Sequence, residues 1–317
     1  MNLNLPIIEQ VSGCKNLLIA GMGGGFDVFC GLPIYFELQK LGINIHLANY
    51  SFSEITTFTG SKRLTSSLVG VDAEFNDRVI YFPELYLTKW FKEKRNEKIT
   101  IWCFHKKGTR PLLDNYLTLV DHLNIDGILL IDGGVDSLIR GDEEMVATLI
   151  EDAISLHVVN ELKDIPVRVI ACIGFGAERH LNYGQILENI AGITRAGGFL
   201  GSCSLTPQMP AFKSYEDSVL YVQNQPYQDP SVINSSIISA VRGEFGNYHL
   251  TKKTDGSILQ ITPLMGMYWF FDLVIVAKRN LYLPHIANTE TFIGTLHKYL
   301  EVKNDFKERF YNQSFQV

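Results

Sequence analysis

The amino-acid sequence predicts an α/β fold, with a doubly wound, mostly parallel, Rossmann-like sheet, helices on both faces and a helical C-terminal region. Two observations predict this fold. Short apolar runs, such as 17–20 (LLIA) and 128–131 (ILLI), alternate along the chain with longer amphipathic segments. These runs have no polar residue at alternate positions, which is typical of parallel strands covered by helices on both faces. Such sheets bind their ligands at the carboxyl ends of the strands.

The predicted elements follow one another along the chain. Apolar, strand-like runs stand at 17–20, 43–48, 77–82, 99–104, 128–131, 167–173 and 199–205. Helical periodicity is found at 28–41, 85–94, 145–162, 183–196 and 231–241, and Pro111 opens a further helix. The region after residue 264 is predicted to be mainly helical, with a strand-like piece at 270–277.

The composition is that of a globular protein with a sizeable core. The chain has 317 residues, of which 46% are hydrophobic and 20% are charged. We expect a single α/β domain over residues 1–317. In it, the polar segment 54–76 forms a flap or a small excursion, and segment 207–230, with four prolines, is irregular. The aromatic run 268–271 (YWFF) suits core packing or an oligomer surface, so a homo-oligomer is one expectation.

Charge and cysteine content exclude several classes of protein. The net charge of -6 argues against an extended nucleic acid as partner, although one nucleotide in a pocket is compatible with it. The five cysteines stand singly, which is typical of buried thiols in a reducing compartment. The N-terminus has no signal-peptide pattern, and Pro263, Gly266 and Asp272 interrupt the most apolar later stretch. We therefore expect a soluble, cytoplasmic protein without a membrane partner.

A glycine-rich loop follows the first predicted strand. Glycines lack a Cβ atom, so backbone N–H groups can approach an anion there, and the next helix adds the positive end of its dipole. The loop therefore predicts a binding site for a phosphate or a nucleotide such as NAD, although the GxGxxG spacing is only loosely met. Asp27 in the loop suits a ribose hydroxyl or a metal, and Asn49 ends the second strand. The candidate cofactor-binding residues are Gly21, Gly23, Gly24, Gly25, Asp27 and Asn49.

The densest acidic group follows the strand at 128–131. Carboxylates at the end of a strand are the usual oxygen ligands of Mg²⁺ or Mn²⁺, so Asp132, Asp136 and Asp142 are candidate metal ligands. Their spacing matches no strict metal motif. For Glu143 and Glu144, the alternative is that they cap the following helix.

Further polar residues at strand ends are candidates for catalysis. Asp132 and Asp136 could act as bases as well as ligands, and Glu178 and His180 could form a general acid/base pair. Arg140, or else Arg179, could neutralise charge that develops on a phosphate or carboxylate. The alternatives are ordinary loop residues for Glu178 and His180 and a solvated surface charge for the arginines.

Three segments together resemble a known family. They are 23–27 (GGGFD), 132–137 (DGGVDS) and 140–143 (RGDE). These segments resemble an uncharacterised prokaryotic domain-of-unknown-function family, over most of the chain. The resemblance implies an α/β fold and no particular activity.

A second, local resemblance covers about 20 residues. The segments 21–23 (GMG) and 31–36 (GLPIYF) resemble the NAD-binding opening of sirtuins, GAG…SGIPxFR. Glu37 stands where that motif has arginine, and the zinc CxxC pairs and the TQN-x-D segment are missing. The resemblance implies binding of NAD or an ADP-ribose-like nucleotide and does not extend to deacylation.

The leading functional hypothesis is an enzyme, a hydrolase or a transferase, that acts on a small phosphorylated or nucleotide metabolite in a pocket at the sheet edge. The alternative is a nucleotide- or NAD-binding sensor or regulatory module that has the same pocket and no catalysis. A third reading is a subunit whose site is completed by a partner.

Overall fold

The computed structural model describes residues 6–143, 150–178, 181–303 and 305–306. In these ranges all strands belong to one sheet. The strands are β1 (Asn16–Gly21), β2 (Asn44–Ser51), β3 (Lys62–Thr65), β4 (Leu68–Val71), β5 (Ile101–His105), β6 (Gly127–Gly133), β7 (Val167–Ile173), β8 (Phe199–Ser204) and β9 (Met267–Asp272).

Helices connect most of these strands. They are α1 (Ile8–Val11), α2 (Asp27–Cys30), α3 (Leu32–Gln39), α4 (Pro83–Arg95), α5 (Thr109–Leu123), α6 (Ile150–Glu161), α7 (Tyr183–Arg195), α8 (Pro210–Gln223), α9 (Val232–Arg242), α10 (Leu273–Arg279), α11 (Leu283–Ile286) and α12 (Phe292–Lys303). Short 3-10 helices stand at 55–57, 136–138, 252–254 and 263–266. Within the described ranges, no helix is long and apolar enough to cross a membrane.

The sheet has the order β3-β4-β5-β2-β1-β6-β7-β9-β8. Its five central strands, β5 to β7 in this order, pair in parallel. Two antiparallel pairings extend the sheet at each end, so seven of the nine described strands point the same way. This confirms the prediction of an α/β protein with a mostly parallel sheet.

Two hydrophobic clusters cover the two faces of the sheet, because successive side chains of a strand point to opposite faces. In β1, Leu17 and Ile19 belong to the cluster that includes residues of α3, α4, α8 and α9. Leu18 and Ala20 belong to the cluster that includes residues of α5, α6, α7, α10, α11 and α12. Both faces of β1 are therefore buried, which explains why its sequence does not alternate between apolar and polar residues.

The helix predicted for 28–41 is two helices, α2 and α3, that meet at Gly31. A Cβ atom at Gly31 would lie 2.7 Å from Cγ2 of Ile19 and 3.0 Å from Cγ1 of Ile131. The chain thus passes too close to the sheet for a side chain at this point. Helical periodicity alone does not reveal this contact.

The strand predicted for 77–82 is wrong. The place beside β5 is taken by β4, which forms an antiparallel hairpin with β3. Ile80 is exposed, and the backbone N–H of Phe82 is bound by Oε1 of Gln228 instead of a neighbouring strand. The hairpin lies inside segment 54–76, whose role as a flap stays a prediction.

Segment 207–230 was expected to be irregular, and the structure shows the 14-residue helix α8 there. Pro210 occupies the first helical position, where its missing N–H costs no intrahelical hydrogen bond. Pro226 and Pro230 follow the helix. The prolines therefore bracket a helix and do not interrupt one.

The aromatic run at 268–271 lies on β9. Tyr268, Phe270 and Phe271 are buried, as core packing predicts. The strand-like piece expected at 270–277 ends earlier, because the carboxylate of Asp272 accepts a hydrogen bond from the N–H of Ile275 and begins α10.

Candidate active site

The site lies where the carboxyl ends of β1, β6 and β7 meet. Strands β1 and β6 are neighbours in the sheet, but the chain leaves β1 towards β2 on the other side. Their loops therefore diverge and leave a crevice at this edge. Five acidic residues border it: Asp27, Asp132, Asp136, Asp152 and Glu178.

Three of these residues form a compact group. Asp132 is the second-last residue of the strand β6, and Asp136 begins the 3-10 helix that follows. Asp152 is in the first turn of α6. One carboxylate oxygen from each lies within 4.8 Å of the other two. Oδ1 of Asp152 is buried and has no hydrogen-bond partner among the residues described. The three elements thus bring together carboxylates that are only 20 positions apart at most in sequence but come from different loops.

Asp132 is held in place by Ser137. Its Oδ2 accepts a hydrogen bond from the backbone N–H of Ser137 at 3.1 Å and a second one from the Ser137 hydroxyl. The Ser137 Oγ also lies 3.3 Å from Sγ of Cys172 on β7. These contacts fix Oδ2 and leave the other oxygen of Asp132 for the crevice.

Two glycines allow Asp27 to join the group. Oδ2 of Asp27 accepts a hydrogen bond of 2.6 Å from the backbone N–H of Gly23. A Cβ atom at Gly23 would lie 2.7 Å from Oδ2 of Asp27 and 3.0 Å from Oδ2 of Asp152. A Cβ atom at Gly133 would lie 2.8 Å from Oδ1 of Asp27. These glycines therefore make room for carboxylates.

A third glycine, Gly134, leaves room for the carboxylate of Glu178 beside the other acidic residues. Gly134 has φ +153°, and a Cβ atom there would lie 2.7 Å from Oε2 of Glu178. The same oxygen accepts a hydrogen bond of 2.8 Å from the N–H of Val135. Glu178 is thus held by the backbone that links Asp132 to Asp136.

Burial is the first cause of an upward pKa shift in all five carboxyl groups, because it disfavours the charged form. It raises the pKa of Asp132 to about 6, although hydrogen bonds from Ser137 lower it. Burial, followed by the charge of Asp132, raises the pKa of Glu178 to about 8. Burial followed by neighbouring carboxylates holds the pKa of Asp27, Asp136 and Asp152 well above its usual range. The group would be stabilised by a cation.

The remaining glycines of the loop are covered by aromatic rings. Gly24 and Gly25 have φ +97° and +58°. A Cβ atom at Gly24 would lie 2.7 Å from the carbonyl oxygen of Tyr50 and close to the ring of Phe52. The loop is therefore tightly packed at these two positions.

Asn49 anchors the loop from β2. Its Nδ2 donates to the carbonyl of Gly25 at 2.9 Å and to Oε1 of Glu84 at 2.8 Å. A Cβ atom at Gly21 would collide with Oδ1 of Asn49. Asn49 thus binds the glycine-rich loop, and Gly21 leaves room for the Asn49 side chain.

The predicted ligand Asp142 lies apart from the three clustered aspartates. Its Oδ2 is 3.0 Å from Nη1 of Arg140. The neighbouring Glu143 accepts hydrogen bonds from the N–H groups of Arg140 and Gly141 and from Nδ2 of Asn189. The loop 140–143 is therefore stabilised by an ion pair and by hydrogen bonds between its own residues. Glu144, Arg179 and His180 lie outside the described residues.

Sequence reasoning missed Asp152, although one signal was available. Asp152 stands in the apolar helical run 150–159, where a lone buried carboxylate needs a partner. It also missed the neighbouring ion pair, in which Nζ of Lys106 lies 2.6 Å from Oε1 of Glu151. Lys106 Nζ lies 3.8 Å from the ring centroid of Phe292 and 5.0 Å from that of Phe52. The ammonium of Lys106 is thus paired with the residue that precedes Asp152.

One comparison with known proteins identifies a family. A family model described as "Protein of unknown function (DUF1152)" matches residues 87–302, which is more than half of the chain. The match includes Asp132, Asp136, Asp152 and Glu178, and Asp27 lies before it. No curated protein and no solved structure matches the chain.

Proposed function

The chain belongs to the DUF1152 family, and we propose that it is an enzyme that uses a divalent cation to act on a small phosphorylated metabolite, by hydrolysis or group transfer. One observation supports this proposal above the others. Asp132, Asp136 and Asp152 meet in a buried group at the carboxyl edge of the central strands. Sheets of this kind place their ligands at that edge, and we interpret the sheet as doubly wound and Rossmann-like.

The donor set fits Mg²⁺ or Mn²⁺. The group offers carboxylate oxygens, which these hard cations prefer, and contains no histidine or thiolate ligand among the described residues. The unpartnered Oδ1 of Asp152 also fits, since a buried carboxylate oxygen without a hydrogen bond is costly unless a cation faces it. When bound, the cation would neutralise phosphate oxygens and polarise the reacting phosphoryl group.

The charge of the site favours a phosphorylated substrate only in the presence of the cation. Five carboxyl groups alone would repel a phosphate, whereas a divalent cation among them would attract it. The ammonium of Lys106 supplies a second positive charge beside Glu151. Arg140 is less suited to this role, because its partner Asp142 is not part of the group of three aspartates. We propose that Lys106 exchanges Glu151 for the substrate phosphate.

Glu178 is the proposed general base. Its pKa is about 8 without a cation, and the charge of a bound cation would lower this pKa, so that the carboxylate could take a proton from water or from an acceptor hydroxyl. The oxygen of that nucleophile forms a bond to phosphorus while the bond to the leaving oxygen breaks. The proton passes to the carboxylate of Glu178, and the leaving oxygen departs with the electron pair of the broken bond and takes a proton from water.

The alternative is a nucleotide- or NAD-binding module without catalysis. The glycine loop and the similarity of 21–36 to the sirtuin opening support this alternative. Against it, the N–H of Gly23 is bound by Asp27, and α2 has only four residues, so its dipole offers an anion little. The enzyme is therefore the better supported proposal.

Thermal unfolding and calorimetry of the chelator-treated protein with Mg²⁺ or Mn²⁺ test the metal. We expect a higher midpoint temperature and a saturable binding heat. Asp132→Asn should lose both, whereas Asp114→Asn, which removes an exposed carboxylate on α5, should keep them. An absence of any metal effect on the wild-type protein would contradict the proposal.

Mass spectrometry of mixtures of phosphorylated metabolites, incubated with the metal-loaded protein, tests the catalysis. We expect one class of phosphate ester to be consumed by the wild type and by Asp114→Asn, but not by Asp132→Asn. Ligands that raise the unfolding temperature without product formation would instead favour the sensor.

A further inference from the structure

The acidic crevice contains two carboxyl groups beyond the three that form the compact group. Asp132, Asp136 and Asp152 suffice for one ion. Asp27 and Glu178 add two more acidic groups to the same buried crevice. The three clustered aspartates thus leave the carboxyl groups of Asp27 and Glu178 without an assigned partner ion.

Asp152 is the residue that links Asp27 to the other carboxylates. Both of its oxygens border Gly23, at 3.0 and 3.1 Å from the position of a Cβ atom there, and Oδ2 of Asp27 lies 2.7 Å from the same position. One carboxylate oxygen of Asp152 also lies within 4.8 Å of a carboxylate oxygen of Asp132 and of Asp136. Asp152 thus stands between two sets of carboxylate oxygens.

The buried Oδ1 of Asp152, which supports the binding of one cation, also bears on the binding of a second. Asp152 is 5% exposed, and this oxygen accepts no hydrogen bond from the residues described. A carboxylate that bridges two cations uses both oxygens, so a bridging role accounts for the atom that hydrogen bonding leaves open.

We propose that Asp152 bridges two divalent cations, one held with Asp132 and Asp136 and the other held with Asp27. This inference rests on the proposed function and adds to it the number of ions and the residue that joins them. Pairs of ions of this kind are typically about 3.5–4 Å apart and clamp a phosphoryl group between them. Glu178 stays outside both ligand sets, held by the N–H of Val135, and is free to act as the base.

The two glycines beside Asp27 have a role in this arrangement. Gly23 and Gly133 each lie where a side chain would push the Asp27 carboxylate away from Asp152. The second ion should therefore be sensitive to a methyl group at Gly133, because the three atoms nearest to a Cβ there belong to Asp27 and Cys30. The first ion, whose ligands come from β6, its following turn and α6, should be much less sensitive.

Manganese titration of the full-length, chelator-treated protein tests the proposal, with calorimetry for the number of ions and electron paramagnetic resonance for their separation. We expect two ions per chain and the exchange-coupled spectrum of a manganese pair. Asp27→Asn keeps an oxygen that can accept from Gly23, so it should fold, bind one ion and lose the coupled spectrum. Asp114→Asn should behave as the wild type.

Gly133→Ala is a second test, which displaces the Asp27 carboxylate without removing it. It should weaken the second ion at least about 10-fold and leave the first in place, which is the scale of displacing a group that orients a ligand. Gly13→Ala is its control, because a Cβ atom at Gly13 meets nothing within 4 Å.

Each of the other outcomes contradicts one part of the proposal. A single ion in the wild type would overturn the second ion and leave the one-ion function intact. Two ions without exchange coupling would overturn the bridge by Asp152. No bound ion would overturn both this inference and the proposed function.

Discussion

The charged side chains at the two ends of the central strands differ in burial and in pairing. At the carboxyl edge, five acidic groups are gathered in a crevice, and burial raises the pKa of each. At the opposite edge, a cavity of about 760 Å³ lies where β2 and β5 separate, and it is lined by Lys62, Arg63, Lys98 and other residues. This cavity is roomy and basic, but its charges are not in conflict.

The cations of the basic cavity are exposed or already bound. The side chain of Lys62 is 58% exposed and pairs with Asp72 at 3.1 Å. The guanidinium of Arg63 donates to the carbonyl oxygens of Ile55 and Phe58. Burial, followed by the neighbouring His122, lowers the pKa of His46, so this ring stays neutral at neutral pH. The comparison teaches that burial together with neighbouring like charges raises the pKa values in the acidic crevice, and that the exposed or bound cations of the cavity are not held in this way.

The largest effect is expected from Asp152→Asn, which would remove the central carboxylate. Affinity for Mg²⁺ or Mn²⁺ should fall by more than about 100-fold, since removal of a ligand exceeds the effect of removing a group behind it. Stability of the chelated protein should rise by about 1–3 kcal/mol, because one repulsive buried charge is gone. Calorimetric titration and denaturant unfolding measure the two effects.

The opposite signs of these effects distinguish a site from a structural group. If Asp152 served only the core, the variant would be less stable and its metal affinity unchanged. Asp114→Asn, on the exposed side of α5, should change neither quantity.

Bound metal should weaken the pH dependence of stability. Glu178 has a pKa of about 8 in the folded chain against 4.5 for an unperturbed group. The folded state therefore binds more protons, and the stability of the chelated protein should fall as the pH rises from 4.5 to about 8. With saturating Mg²⁺ the fall should become smaller, because the charge of the nearby cation lowers the pKa of Glu178.

Thermal unfolding across this pH range, with chelator and with Mg²⁺, measures how much the metal reduces the fall in stability. Glu178→Gln should flatten the fall in the chelated protein. A chelated protein that gains stability over the same range would contradict the raised pKa values.

A smaller effect is expected at Gly134, where φ is +153° and a Cβ atom would collide with Glu178. Gly134→Ala should cost about 1–3 kcal/mol in free energy of unfolding through strain and displacement. It should also lower catalytic turnover, because Glu178 would be moved. Gly256→Ala shares the positive φ, at +80°, and has no neighbour within 4 Å, so it should lose stability alone.

Denaturant unfolding and turnover of the metabolite identified by mass spectrometry separate the two variants. Equal activity in both would show that the position of Glu178 is unimportant.

The smallest effect is expected at the basic edge. Lys62→Ala should change the free energy of unfolding by less than about 1 kcal/mol, because exposed ion pairs contribute little. Metal affinity should stay the same in calorimetric titration. A marked loss of metal binding would mean that the two edges are coupled.

Much of the fold was readable from local patterns. The strand predicted at 167–173 matches β7, and the strands at 17–20 and 128–131 match the cores of β1 and β6. These runs are long, apolar and bounded by polar residues, so the pattern has one interpretation. The strand predicted at 77–82 failed because a position beside β5 can be filled by any strand, and β4 fills it.

The site was readable in part. Asp27, Asp132, Asp136 and Glu178 follow predicted strands, and parallel strands bring their carboxyl ends together. Asp152 was not found, because it lies on a helix and only packing turns it towards β6. Asp142 was expected beside Asp132, but its carboxylate pairs with Arg140 in the loop.

The sequence by itself determined the α/β class, the glycine loop and the presence of acids at strand ends, because these depend on side-chain type and local periodicity. Only the tertiary structure decided which acids meet. It placed α6 so that Asp152 joins Asp132 and Asp136, and it used Gly23, Gly133 and Gly134 to let Asp27 and Glu178 come close. The physical reason is that like charges repel, so their contact cannot be inferred from residue preferences and arises only where the surrounding fold holds them together.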